Sequence, residues 1–344
     1  MKRIINYIFI LAVLFVVLVS CEYKKLVYDY YLAYYWFYID PIYDRDWQYA
    51  SDETAISWMD KWDSAYFGFG YDSLRPEVPK GLYVVASDLL GDNPNVVSNI
   101  DSDGGYAYLA NKENSLLLYN RDTKYLVLDD LDSLKTATAT ARSRMRSTYE
   151  GNPYSSESEE LTVAPPDVLY ASFVDMAKVD RRKFDYEIDT LAVRFMPLVY
   201  TYHVRYNVVE GEEYLGIARG ALSGMAGSVY LCGGKTIEQP VTVLYDCCLL
   251  EGFGVVANVN SFGVSNADNA DQRYALNLEM RLNNGEFMNF NFDVTEQVKN
   301  QPRGGVIEVG NIEIPDSIGQ KDGTLGFDVE VDGWGDYIDI DIPL

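Results

Sequence analysis

The stretch that decides the fold class runs Tyr274-Ala275-Leu276-Asn277-Leu278-Glu279-Met280-Arg281-Leu282-Asn283-Asn284-Gly285-Glu286-Phe287-Met288-Asn289-Phe290-Asn291-Phe292-Asp293-Val294. Tyr274, Leu276, Leu278, Met280 and Leu282 alternate with Ala275, Asn277, Glu279 and Arg281. A period of two puts one set on an apolar face and the other on a mostly polar face, which is the signature of a half-buried strand. Asn284-Gly285 then predicts a type I′ turn, because both residues tolerate positive φ. Met288, Phe290, Phe292 and Val294 return with the same period. The reading is a β-hairpin.

The pattern spreads outward from there. Leu198, Tyr200, Tyr202, Val204, Tyr206 and Val208 alternate with Val199, Thr201, His203, Arg205, Asn207 and Val209, so Leu198–Val209 is a long strand with one apolar face. Val241–Leu250, Val255–Val259 and Val306–Ile314 add further strands. Near the C-terminus Phe327, Val329 and Val331 alternate with acidic residues, and so do Ile338, Ile340 and Ile342 after Gly333-Trp334-Gly335. Carboxylates on an outer face discourage stray strand pairing. In the first half Leu26–Ile39 is aromatic and strand-like, and Tyr66–Gly70, Gly81–Ala86, Leu116–Tyr119 and Tyr125–Leu128 read as strands. Ser51–Ala65 predicts a short helix with Ala55, Met59 and Trp62 on one face. Between Ser133 and Glu160 bulky apolar residues thin out, which predicts a linker or long loop. Two β-rich halves around that linker predict an all-β chain of two β-sandwich domains, 21–160 and 161–344.

Composition bounds the function. The chain has 344 residues with 28 basic and 52 acidic side chains, a formal charge of −24. Hydrophobic residues make up 48%, enough for real cores. The acidic excess argues against nucleic acid as a partner, since phosphates must be neutralised by Lys and Arg. A single histidine and four cysteines leave little for His-based catalysis, a zinc cluster or a disulfide framework.

The first 20 residues carry an address. Lys2 and Arg3 precede Tyr7–Val19, an apolar run of 13, too short to span a bilayer but suited to an export signal. Leu18-Val19-Ser20-Cys21 resembles the lipobox of bacterial lipoproteins. Cleavage between Ser20 and Cys21 would leave the Cys21 thiol as the acylated first residue. Several acyl chains hold a protein on a membrane, so the expectation is an outer-membrane or cell-surface lipoprotein.

Other motifs fail on inspection. His203 reads as a solvated or hydrogen-bonded strand residue beside Arg205. Ser223 lacks both glycines of a G-x-S-x-G elbow, and Gly233-Gly234-Lys235-Thr236 lacks the leading glycine of a phosphate loop, where Val229 stands. Asp101-Ser102-Asp103-Gly104-Gly105 opens like a calcium loop, but Lys112 occupies the place of the bidentate Glu, so an Asp-Gly turn is the better account. Nothing singles out a pair of carboxylates for glycoside hydrolysis. Cys232, Cys247 and Cys248 read as free thiols in the core. No catalytic, cofactor-binding or metal residue is expected. The segment Tyr28–Tyr38 is a candidate sugar platform, although Tyr equally suits a strand's core and rim.

The second half resembles a Bacteroides family of lipoproteins that carry a domain of unknown function and lie close to the fimbrillin-associated anchor proteins of type V pili. The likeness rests on Pro165-Pro166-Asp167-Val168-Leu169-Tyr170, Ala221-Leu222-Ser223-Gly224-Met225-Ala226-Gly227, Phe292-Asp293-Val294-Thr295-Glu296-Gln297-Val298 and Phe327-Asp328-Val329-Glu330-Val331-Asp332-Gly333-Trp334. In the first half Val78-Pro79-Lys80-Gly81-Leu82-Tyr83-Val84-Val85 agrees, whereas Ala50–Tyr71 departs from the family pattern. The resemblance implies two transthyretin-like β-sandwich domains in tandem, no catalysis, no cofactor, and Cys21 as the one functional residue. The expected role is an anchor or accessory subunit of a pilus-like adhesive fibre, joined to fimbrial subunits by strand addition. The alternative is a surface lipoprotein that binds a carbohydrate or host ligand without a fibre. Candidate mobile strands are Leu26–Ile39, with Arg45 just beyond as a cleavage point, and Tyr337–Leu344.

Overall fold

The computed structural model describes residues 34–49, 55–88, 95–110, 113–152, 160–178, 189–250, 252, 254–265, 271–320 and 338–340. The expected leader, Cys21 and Tyr28 lie outside the described residues, as do residues 321–337 with the acidic strand expected there. The described chain is all-β. β1 (Tyr34–Tyr43), β2 (Gly81–Asp88), β3 (Val96–Asp101), β4 (Gly105–Ala110) and β5 (Glu113–Asn120) come first. β6 (Leu126–Asp129), β7 (Thr138–Ala141), β8 (Ser143–Met145), β9 (Leu161–Val163), β10 (Tyr170–Lys178) and β11 (Thr190–Pro197) follow. Then come β12 (Tyr200–Glu210), β13 (Leu215–Ala226), β14 (Ser228–Tyr230), β15 (Pro240–Asp246), β16 (Cys248–Leu250) and β17 (Gly254–Ser261). β18 (Ala275–Leu282), β19 (Phe287–Asp293), β20 (Gly305–Glu313) and β21 (Ile338–Ile340) complete the set.

The first seven-stranded sheet has the order β3-β2-β5-β10-β11-β1-β4. β10 and β11 share only two residue pairs, Tyr170 with Pro197 and Ala171 with Met196, so the sheet turns a corner there. At its other end a bridge from Asp101 to Gly104 brings β3 back to β4. Two layers thus face each other over Phe37, Ile39, Leu82, Val84, Leu116, Leu118, Val193 and Phe195. β10 and β11 hydrogen-bond to β5 and β1, so the division at 160/161 does not follow the sheets. The polar stretch 179–189 between them masks in the sequence that they close the N-terminal layers.

The second core lies between the sheet β19-β18-β13-β15-β9-β8-β21 and the sheet β16-β17-β12-β20. Tyr202, Val204 and Tyr206 of β12 meet Leu222, Leu276, Leu278 and Met280. The buried hydroxyls of Tyr206 and Tyr245 satisfy each other at 2.7 Å. The opening hairpin is present in register, Leu278 opposite Phe290. Its turn differs from the type I′ expectation. The Gly285 N–H donates to Leu282 O, the Leu282 N–H donates to Glu286 O, and Gly285 alone takes a positive φ, of 88°. That is a three-residue loop closed by a left-handed glycine.

Three further expectations are corrected. The described part of the expected linker, residues 133–152, is not one: β7 forms a third sheet with β6 and β14, and Ala137, Ala139 and Ala141 are buried. They pack in one cluster with Val85, Leu117 and Tyr119 from the back of β2 and β5, welding the two sandwiches. Small residues hid this strand from a reading based on bulky ones. Residues 55–62 are irregular rather than helical, and Tyr66–Gly70 is not a strand. Between residues 55 and 70 the one helical turn is α1 (Ser64–Phe67), capped by Asp63 Oδ1, which accepts from Ala65 N at 2.9 Å. Trp58, Trp62, Phe67 and Phe69 instead gather around Trp47 on the outer face of β12 and β20. The Trp58 indole donates to Gln301 Oε1 at 2.7 Å and the Trp62 indole to Phe69 O at 2.9 Å. These tertiary bonds override the helical spacing.

Candidate functional site

The feature with the clearest mechanical meaning is β1. It is the first described strand, and it is inserted between two others. Residues 34–39 pair antiparallel with β4, and residues 38–43 pair parallel with β11. Only Tyr38 and Ile39 have neighbours on both sides. Pro41, which has no N–H, lies in the half where β11 is the only neighbour, so the ladder loses little. Phe37 and Ile39 point into the core. Tyr43 stacks on Phe195 with centroids 5.3 Å apart and meets Tyr170 edge-on at the same distance.

The Asp101–Gly104 turn is tied to this strand. The Tyr43 hydroxyl donates to Ser102 O at 2.9 Å and the Tyr38 hydroxyl to Asp103 O at 3.3 Å. Burial raises the Tyr43 phenol well above its ordinary range, which keeps it a donor. Gly104 has φ of 116°, and a Cβ there would meet Ile39 O at 2.6 Å. The Asp-Gly sequence therefore serves close approach to β1. Among the described residues no group of three or more His, Cys, Asp or Glu is placed to hold a metal ion. The two tyrosine latches were missed in the sequence, where nothing tells a tyrosine on the rim from one that donates to a distant carbonyl.

The outer face of β1 carries an aromatic row. Trp36 is 51% exposed and Tyr106 is 48% exposed. Trp36 meets Tyr108 edge-on at 3.9 Å, and Tyr38 meets Tyr106 at 5.4 Å. The sequence placed such a platform at Tyr28–Tyr38, and the described part joins it to β4. Just past β1, Arg45 is exposed and its Nε donates to Pro76 O at 2.9 Å. At the other end of the chain Ile338–Ile340 pairs antiparallel with β8.

The remaining sequence candidates are scattered. His203 is not solvated. It is 3% exposed, its Nδ1 lies 2.8 Å from Asn258 Oδ1, and the rings of Trp62, Phe67 and Phe69 surround it. Burial lowers its pKa below the usual 6.5, so it is held neutral. Ser223 sits in the other sheet, where its hydroxyl accepts from Ala275 N at 3.1 Å and from Asn152 at 2.6 Å. Gly234 caps a turn whose carbonyl accepts from Arg303 at 3.0 Å. Cys232 and Cys247 are free and half-buried, and Cys248 is exposed rather than in the core. Among the described residues no helix is long and apolar enough to cross a membrane.

Fold and site thus define a class: an all-β protein whose first described strand is seated between β4 and β11 in a sandwich. The family profile described as "Domain of unknown function (DUF5119)" matches residues 71–246, just over half of the chain, and the chain belongs to that family. A Bacteroides ovatus protein named "Putative fimbrium anchoring subunit Fim4B" is 19% identical over 309 residues, covering 80% of this chain and 88% of its own. Its likeness takes in most of both sandwiches. The crystal structure of a "putative adhesin" from Bacteroides ovatus aligns with TM-score 0.50 and 18% identity over 86% of this chain and 96% of its own. A second Bacteroides ovatus adhesin structure gives TM-score 0.46 and 10% identity over 83% and 90%.

Proposed function

We propose that this protein is a cell-surface lipoprotein that acts as an anchor or accessory subunit of a pilus-like adhesive fibre. Cys21, acylated after cleavage behind Ser20, attaches it to the outer membrane. Fimbrial subunits join it by strand addition, in which main-chain bonds supply general affinity and alternating side chains set the register. The observation that carries this reading is β1, a strand near the lipid end that fills a seat between β4 and β11. The "fimbrium anchoring subunit" name of a relative aligned along most of both chains supports it. An anchor keeps β1, because cutting at Arg45 would sever the chain from its lipid. We take the two units to be transthyretin-like sandwiches in tandem, with no catalytic role.

Mass spectrometry of the mature N-terminus is the first test: acylated Cys21 followed by an uncut Arg45 is expected. Cys21→Ala should leave an unprocessed precursor. Crosslinking in native membranes should capture a second subunit along a sheet edge. An unmodified Cys21, or a chain with no such neighbour, would sink the proposal. A glycan-binding role is favoured by one observation, the exposed row Trp36, Tyr38, Tyr106 and Tyr108, because ring faces beside hydroxyls suit sugars. Glycan-array binding lost in Trp36→Ala, with no fibre partner, would select it.

A further inference from the structure

One layer of the first sandwich turns apolar side chains outward. Along β1 Phe37 and Ile39 go into the core, so Trp36, Tyr38, Asp40 and Ile42 share the other face. Tyr108 and Tyr106 of β4 stand opposite Trp36 and Tyr38. Ala192 and Arg194 of β11 stand opposite Asp40 and Ile42. Val193 and Phe195 are buried, so Met196 continues the outer face of β11 beyond Arg194. Ile42 is 53% exposed and Met196 42%, comparable with Trp36. Three adjacent strands thus carry one outward stripe, aromatic at one end and aliphatic at the other.

Exposed apolar side chains gathered on one face mark a contact surface, whereas single ones do not. The chemistry of the stripe selects its occupant. A sugar needs hydrogen-bonding partners, and Ile42 and Met196 offer none. The Tyr38 hydroxyl is already given to Asp103 O. The rings cross steeply, Trp36 on Tyr108 at 76° and Tyr38 on Tyr106 at 75°, so they build a ridge rather than a flat platform. A bilayer interface suits all of them: Trp and Tyr settle at the level of the headgroups, and aliphatic side chains reach the acyl boundary. The sequence also places the lipid nearby. Cys21 precedes Tyr34 by thirteen residues, a tether of at most about 45 Å, and Trp36 follows two residues later.

We propose that the outer face of β1, β4 and β11 lies against the phospholipid interface of the membrane that holds Cys21. The proposal rests on the lipidated Cys21 of the reading above and adds a second point of attachment. A short tether keeps the stripe at high effective concentration over the surface, so a weak apolar contact suffices. The charged side chains of the stripe are Asp40 and Arg194, and Arg194 bonds Asp44 at 3.3 Å. Both remain at the aqueous rim while their neighbours enter. A chain of charge −24 gains nothing from an anionic surface, so the rings and aliphatic side chains make the contact and salt does not weaken it. A lipid alone leaves the protein free to swivel. The stripe gives it one orientation.

The test places the full-length protein, extracted from membranes, in phosphatidylcholine vesicles whose acyl chains carry bromine, a short-range quencher of indole fluorescence. Emission should fall, relative to vesicles without bromine, by up to the share of one indole among five. The fall should vanish in Trp36→Phe and be equal at ~0.1 and ~1 M salt. Ile42→Glu, at an exposed position, should reduce it at least twofold with the melting temperature kept. Mass spectrometry of Cys21 in the same sample separates the two readings. Acylated Cys21 with Trp36 unquenched overturns the stripe and leaves the anchor. Unmodified Cys21 overturns the anchor, and the chain is then simply added to the vesicles, where an unquenched Trp36 overturns the stripe as well. Quenching that survives Trp36→Phe, or a glycan-array signal lost in Trp36→Ala without any quenching, also overturns the proposal.

Discussion

β5 and β12 are both covered on two faces, but by different means. β5 reads Leu116-Leu117-Leu118-Tyr119, and its faces go to two apolar cores, Leu116 and Leu118 to one and Leu117 and Tyr119 to the other. β12 alternates Tyr and Val with Thr201, His203 and Arg205, and its polar face lies under the aromatic segment around Trp47. An apolar run announces that both faces are buried. An alternating run normally announces water on one side. Here that side is closed by rings from over a hundred residues upstream, and its polar atoms bond locally: His203 to Asn258, Thr201 to Asn260 at 3.0 Å. A pattern of two types therefore reports which side chains need hydrogen bonds, not which face is wet.

The difference can be broken by substitution. Trp47 is fully buried, and its Nε1 donates to Tyr71 O at 3.2 Å. Trp47→Ala should cost about 3–5 kcal/mol in denaturant unfolding, as for a core aromatic. A cost below about 1 kcal/mol would show the segment to be a loose cover rather than a second core. Leu117→Ala, on the face of β5 turned to the other sandwich, should cost about 2–5 kcal/mol and serve as the standard for a welded contact.

Gln301→Ala removes the cover of β20 from beneath the aromatic rings. It leaves the Val306 N–H and the Trp58 indole without their acceptor, so a loss of about 1–3 kcal/mol is expected, with Trp58 fluorescence shifted to the red. Proteolysis between Trp47 and Val78 should quicken in that variant.

The smallest effect is the most diagnostic. His203 is neutral when folded and has a pKa below its unfolded value near 6.5. The unfolded chain therefore binds the extra proton first, and stability is full above pH 6.5 and declines as pH falls below it. Glu308 opposes this shift and Arg205 adds to it. Carboxylates titrate lower, so the difference between the parent chain and His203→Gln isolates the histidine. His203→Gln should cost about 1 kcal/mol at pH 8 and flatten the decline between pH 7 and 5. Parallel curves would mean that the aromatic cover opens to water around the imidazole.

The hairpin at Tyr274–Val294 was legible because every second residue is apolar in each of its arms, Tyr274 to Leu282 and Met288 to Val294, and no tertiary contact is needed to interpret it. β7 was legible only in principle: Thr136, Thr138 and Thr140 alternate with Ala137, Ala139 and Ala141, but alanine is too small to announce a core. Residues 55–62 misled because indoles at helical spacing also suit a cluster in which each N–H finds a distant acceptor. Of the candidate site, the aromatic character of β1 was visible. Its seat was not, since β4 and β11 are separated from it by some seventy and a hundred and fifty residues.

What the sequence determined by itself is local: strand periodicity, an all-β class, the glycine at the hairpin turn, and an acidic chain with one histidine. These follow from side-chain types taken a few residues at a time. Only the tertiary structure decided that β10 and β11 belong to the first sheet, that His203 is dry, that Tyr38 and Tyr43 latch the Asp101–Gly104 turn, and that Gln301 covers the main chain of β20 at Val306. Each of these depends on which backbone N–H and C=O groups remain unpaired once the sheets have formed. That remainder is a property of the whole chain packed together, and no short stretch of it contains the information.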